Sequence, residues 1–176
     1  MTTYTAHPIA PDVLKELRAT DDAGRPLAPL TDEVGGAPLR CCLRRGEPGE
    51  RVALVSYAPL RRWAAARGVE PGAYDEQGPV FIHADECAGP ATDALPFTNA
   101  HRVVRRYSAE GHILGGQLVG EPAVFDEAFT AAFDDPEVAL VHVRAVEYGC
   151  FLYEVRRSGF AREAGAGPAA AVRAPN

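Results

Sequence analysis

Lysine is almost missing from this chain: Lys15 stands alone beside 17 arginines among 176 residues. A GC-rich coding sequence accounts for that bias before any need for bidentate anion recognition does. An excess of positive charge is missing too. The 18 Lys+Arg face 24 Asp+Glu for a formal charge of -6, which excludes a whole-domain electrostatic footprint for nucleic acid. No run reaches the ~18–20 consecutive apolar residues of a membrane-spanning helix. Met1 to Pro8 hold no basic stretch leading into an apolar one, so no secretory signal and a cytoplasmic location are expected. Thiols stay reduced there, which leaves Cys41, Cys42, Cys87 and Cys150 as free thiols, metal ligands or small buried hydrophobes. P-loop, dinucleotide-fingerprint, nucleophile-elbow and zincin motifs are all absent, and no Cys-x-x-Cys supplies a compact metal knuckle. The expectation is therefore a protein without a cofactor and without an assigned metal.

What is present is a succession of short β-rich runs. Pro38–Arg44 and Arg51–Tyr57 flank a Gly46-Glu47-Pro48-Gly49 turn and read as a hairpin. Pro79–His83 is a short strand. His101–Tyr107 with Ile113–Val119, and Val138–Arg144 with Cys150–Arg157, read as two more hairpins. Helices are expected over Pro11–Ala19, Pro59–Arg67 and Ala123–Phe133; the last carries a wide stripe from Val124 and Phe125 to Phe133 and ends before Pro136. Strands follow strands rather than alternating with helices. The fold class is α+β: an antiparallel, hairpin-rich sheet or partly closed barrel of about seven strands with two to three packed helices. Residues 1–160 are expected to form one globular domain, with a surface loop over 85–100, and 161–176 to be a disordered tail.

Three groups of residues carry possible chemistry. His83 ends a strand, with Asp85, Glu86 and Cys87 just beyond it. A turn there can bring His83 and Cys87 to one ion, but zinc wants four ligands, and the others would come from Cys41 or Cys42, His142 or Cys150. Strand-end polarity is the plainer reading. Second, His142 and Arg144 share a strand face by alternation, with Tyr148 and Cys150 just past it. A guanidinium binds an anion bidentately and an imidazole moves a proton near neutral pH. The plainer reading is a solvated strand face with Tyr148 packed. Third, Cys41 and Cys42 project to opposite faces if their segment is a strand, which sets Cys42 beside Arg40 and Arg44 and favours its thiolate.

Several of these blocks resemble the bacterial domain-of-unknown-function family 1203. They are Pro38–Leu43 leading to Gly49–Tyr57, Gly72–His83, Arg105–Gly111, Asp135–Val138, Val141–Arg144 and Tyr148–Phe151. The resemblance spans about 35–157 and implies no activity.

The expected function is a pocket on the sheet face for a small anionic molecule, either in a binding protein or in a cofactor-independent enzyme. Arg40, Arg105 and Arg144 would hold the ligand, with His142 and His83 as acid/base groups and Cys42, Cys150 and Tyr148 beside them. The other reading is a non-catalytic module, possible as a homodimer through edge-strand pairing, zinc-stabilised or not, with Trp63, Phe97 and Phe160 as anchors. Neither reading involves nucleic acid or a membrane.

Overall fold

In the computed structural model residues 4–158 are described; the expected tail at 161–176 and Phe160 lie outside them. In chain order come β1 (Tyr4–His7), α1 (Pro11–Ala19), β2 (Pro29–Asp32), β3 (Pro38–Leu39), β4 (Arg44–Arg45), β5 (Glu50–Tyr57) and α2 (Pro59–Arg67). After a 3-10 turn at Gly72–Tyr74 follow β6 (Gly78–His83), β7 (Arg102–Tyr107), β8 (Ile113–Val119), α3 (Phe125–Asp134), β9 (Leu140–Ala145) and β10 (Phe151–Arg157). The class is α+β. Instead of one seven-stranded sheet or a barrel, ten strands form two five-stranded sheets, ordered β1-β10-β9-β7-β8 and β2-β5-β6-β3-β4.

The helices follow from local chemistry. Proline opens α1 and α2 at a position whose N–H would have no helical partner. Gly68 closes α2 in the left-handed region at φ 66°, its N–H reaching back to the carbonyls of Ala64 and Ala65. The third helix begins later than its apolar stripe suggests, because Pro122–Val124 form a 3-10 turn and Val124 is exposed. Phe125, Phe129 and Phe133 pack from α3 onto Val104, Val141, Val143, Tyr153 and Val155 of the first sheet. Each such side chain contributes about 1.5–3 kcal/mol by leaving water.

The opposite face of the first sheet is covered by α2 and by one end of the second sheet. Leu60 and Trp63 pack on Tyr107 and Leu140, and Tyr57 meets Phe151 edge-on at 5.5 Å. The second sheet buries Leu39, Val52, Val55, Val80 and Ile82 with Leu14 and Leu17 of α1. Trp63 and Phe97 are buried within this same chain, so neither is an exposed interface anchor.

The hairpins β7–β8 and β9–β10 form as the sequence indicates, with register shifts between Arg106 and Tyr107 in the first and between Phe151 and Tyr153 in the second. The run Pro38–Arg44 does not form one strand. It breaks into β3 and β4, which pair with each other, while β5 pairs with β2 and β6. A parallel contact between Leu39 and Phe81 then sets the end of β3 beside β6.

Candidate functional site

The break between β3 and β4 creates the most distinctive site. Leu43 donates its N–H to the Leu39 carbonyl at 2.9 Å, closing a tight turn over residues 40–43. Leu43 pays for that turn with a φ of 57°, a conformation costing a non-glycine residue about 1–2 kcal/mol. Cys41 and Cys42 therefore do not project to opposite faces; their sulfurs lie 4.0 Å apart on one side of the turn.

The Arg40 N–H bonds the Phe81 carbonyl at 2.9 Å, and this carries the turn to the end of β6, where His83 stands. The His83 N–H donates to the Cys41 sulfur at 3.2 Å. Its ring Nδ1 lies 3.3 Å from Cys41 Sγ and 3.8 Å from Cys42 Sγ. Cys87 completes the group: one ligand atom from each of Cys41, Cys42, His83 and Cys87 all lie within 4.8 Å of one another. Cys41 and Cys42 are buried, and His83 and Cys87 are half-buried.

The far side of the imidazole is also held. Glu50 Oε1 sits 3.4 Å from His83 Nε2. Glu50 is fixed in turn by Arg44, at 2.5 and 3.0 Å, and by the Glu47 N–H at 2.8 Å. Arg44 also comes within 3.4 Å of Nε2. As a pure donor it can bond only a bare Nε2, whereas Glu50 accepts from Nε2–H. The Nε2–H tautomer turns the Nδ1 lone pair toward the sulfurs. Arg44, followed by the Glu47 N–H, draws the Glu50 carboxyl down to about 2, so it is ionised. The Cys42 thiol is drawn down to about 6, first by its hydrogen bond with Cys41, then by the Arg44 N–H and the charges of His83 and Arg44, against burial. Cys41 moves upward as the other half of that pair.

A second gathering lies on the inner face of the first sheet. Register sets Arg105 and Glu154 on either side of His142, with Arg144 two residues along β9 on the same face. This face is not solvated: His142 is fully enclosed between Tyr107 and Phe151, with ring centroids at 4.7 and 5.0 Å. Its Nε2 is 3.9 Å from Glu154, which also pairs with Arg156. Burial pushes the imidazole below its ordinary value, so it is neutral near pH 7. Arg144 donates to the Gly149 carbonyl at 2.9 Å and meets Glu76 Oε2 at 2.8 Å. Arg105 reaches the same oxygen at 2.6 Å. Arg144 and Glu76 line a cleft of about 300 Å³ with Tyr57, Tyr148, Cys150 and Phe151.

The expected site thus resolves into two places. Cys42 and His83 meet at the turn; Arg105, His142, Arg144 and Cys150 gather at the sheet face and cleft. Tyr148 is 84% exposed at the rim rather than packed. Arg40 holds no open anion site. It is buried and donates from Nε to the Phe151 carbonyl at 2.8 Å and from its guanidinium to the Pro38 carbonyl, tying the cysteine turn to the β9–β10 hairpin. Sequence reasoning left out Glu50 and Glu76, named Arg44 only as a neighbour of the Cys42 thiol, and placed Cys41 and Cys87 only among optional zinc ligands. A larger cleft of about 550 Å³, lined in part by Arg67, Glu110, His112 and Glu137, meets the second place only at Arg156.

No curated protein and no solved structure matches this chain. A family model for a protein of unknown function (DUF1203) matches residues 36–157, a span that holds every residue of the two places just described. The chain belongs to that family.

Proposed function

We propose that this member of the DUF1203 family binds one transition-metal ion, zinc foremost, through Cys41, Cys42, His83 and Cys87. The observation that carries the reading is the mutual approach, within 4.8 Å, of three sulfurs and one imidazole nitrogen. Zinc bonds cysteine sulfur near 2.3 Å and histidine nitrogen near 2.0–2.1 Å, so a tetrahedral site has ligand-to-ligand edges of about 3.8 Å (S–S) and about 3.6 Å (S–N). The 4.0 Å between the two vicinal sulfurs and the 3.3 and 3.8 Å to Nδ1 need only small adjustments to reach those edges.

Packing alone accounts for two buried cysteines, which are common. It does not account for a left-handed leucine that turns both sulfurs the same way, or for an imidazole whose far nitrogen faces an anchored carboxylate. A carboxylate behind a ligating histidine fixes its tautomer and raises its basicity. Thiolate and imidazole are the ligand types that zinc prefers over harder cations. Four protein ligands fill a tetrahedron, so the ion would be structural: it would clamp the β3–β4 turn to the end of β6 and leave no position for substrate. Arg40 would pass that rigidity on to the β9–β10 hairpin.

Elemental analysis of protein purified without chelator tests this. The expected result is one equivalent of zinc per chain. Less than a tenth of an equivalent, persisting after incubation with zinc under reducing conditions, would overturn the reading.

A further inference from the structure

The cleft beside β9 carries a second and independent site. We propose that Arg144 and Arg105 form a receptor for the carboxylate of a small organic acid, and that Glu76 occupies it as an internal stand-in. Nothing in this proposal depends on the metal.

Both guanidinium groups converge on a single oxygen, Glu76 Oε2, at 2.8 Å from Arg144 and 2.6 Å from Arg105. They project from neighbouring strands on the same face, so their spacing is set by the sheet and not by Glu76. Arg144 is further fixed by its bond to the Gly149 carbonyl, which preorients its other nitrogen toward the shared oxygen.

The three side chains are unequally anchored. Those of Arg144 and Arg105 are 10% and 26% exposed, whereas that of Glu76 is 42% exposed and lies between the 3-10 turn and β6, outside any strand or helix. Among the described residues the two arginines are its side chain's only hydrogen-bond or ion-pair partners. One carboxylate therefore answers two partly buried cations. The neighbouring carboxylate, Asp75, is engaged by Arg61 at 2.9 Å. Glu76 can swing toward solvent without breaking a sheet bond, and an incoming carboxylate inherits the two guanidinium contacts.

The cleft, at about 300 Å³, is at the small end of ligand pockets, which excludes a nucleotide-sized molecule. Pro59, Tyr57 and Phe151 supply apolar wall, so the matching ligand is a short carboxylic acid with an apolar body. Cys150 and Tyr148 stand at the same wall, where they would face that body rather than its charge.

The test is calorimetric titration of the full-length protein with propionate and benzoate, and with inorganic phosphate as the other oxyanion. It is run on wild type, Glu76→Gln and Arg144→Gln. A site occupied by its own carboxylate binds in proportion to the fraction of time it is open. The expected results are saturable carboxylate binding to wild type, about tenfold tighter binding to Glu76→Gln, and loss of binding in Arg144→Gln. Should Arg144→Gln fail to fold by circular dichroism, Arg105→Gln takes its place, and the wild-type to Glu76→Gln ratio is read independently. An unchanged or weakened affinity in Glu76→Gln would overturn the proposal and mark the trio as a fixed salt bridge. Phosphate binding as tight as the carboxylates would overturn the assignment of ligand class.

Discussion

Around the Arg40–Leu43 turn, three sulfurs and an imidazole nitrogen crowd into one small space. On the inner face of the first sheet, two arginines, a histidine and two carboxylates have instead largely found each other. The first region gathers groups of the same kind, lone-pair donors that share thiol protons among themselves in the absence of a cation. The second gathers opposite charges, which pair with one another inside the chain. The difference shows why a list of reactive residue types is a poor guide to a site. His83 and His142 look equivalent in sequence, yet one has an anchored carboxylate behind it and sulfurs in front, and the other is enclosed by aromatic rings.

The sharpest way to break this contrast is to load and strip metal while following unfolding. A ligand that binds only the folded chain stabilises it by about 4 kcal/mol at a free concentration 1,000 times its dissociation constant. Zinc is therefore expected to raise the denaturant midpoint of the reduced protein, and magnesium to leave it unchanged. Loss of one ligand comes next. Cys42→Ser is expected to weaken zinc binding by roughly 100-fold or more in chelator competition, while Arg144→Gln leaves it unchanged.

Glu50→Gln probes the support behind the ligand. It retains the shape and removes the charge facing His83 Nε2, and it is expected to weaken zinc binding by about tenfold. The smallest effect belongs to the enclosed histidine. His142 is held below its ordinary value of about 6.5, so the unfolded chain takes up a proton there before the folded chain does. Stability from this group is full above that pH and is lost as pH falls toward the lowered folded value. His142→Leu is expected to reduce the acid slope of unfolding free energy below pH ~6.5 by at most one proton, or about 1.4 kcal/mol per pH unit. Urea titrations of metal-free protein across that range measure it.

Much of the fold was legible because its signals are local. Alternation and turn residues mark the β7–β8 and β9–β10 hairpins, and the phenylalanine stripe marks α3. The edge strands β1 and β2 were not legible: they are four residues each and exist by pairing with Arg157–Glu154 and Ala53–Glu50, far along the chain. The division into two sheets follows from the same distant pairings. At the site, the His83–Cys87 spacing was readable, but the convergence with Cys41 was not. It joins positions 42 residues apart and depends on a turn at Leu43 where no glycine or asparagine announces a positive φ. A run that alternates like a strand concealed a break. Glu76 lies in a connector without periodicity, and nothing in the sequence links it to Arg105 and Arg144.

The most direct measurement is X-ray absorption at the zinc edge on the zinc-loaded protein. Three sulfur ligands near 2.3 Å and one nitrogen near 2.0–2.1 Å are predicted, with one sulfur lost in Cys42→Ser. A first shell of oxygen and nitrogen alone, or a sulfur count unchanged by that substitution, would contradict the account.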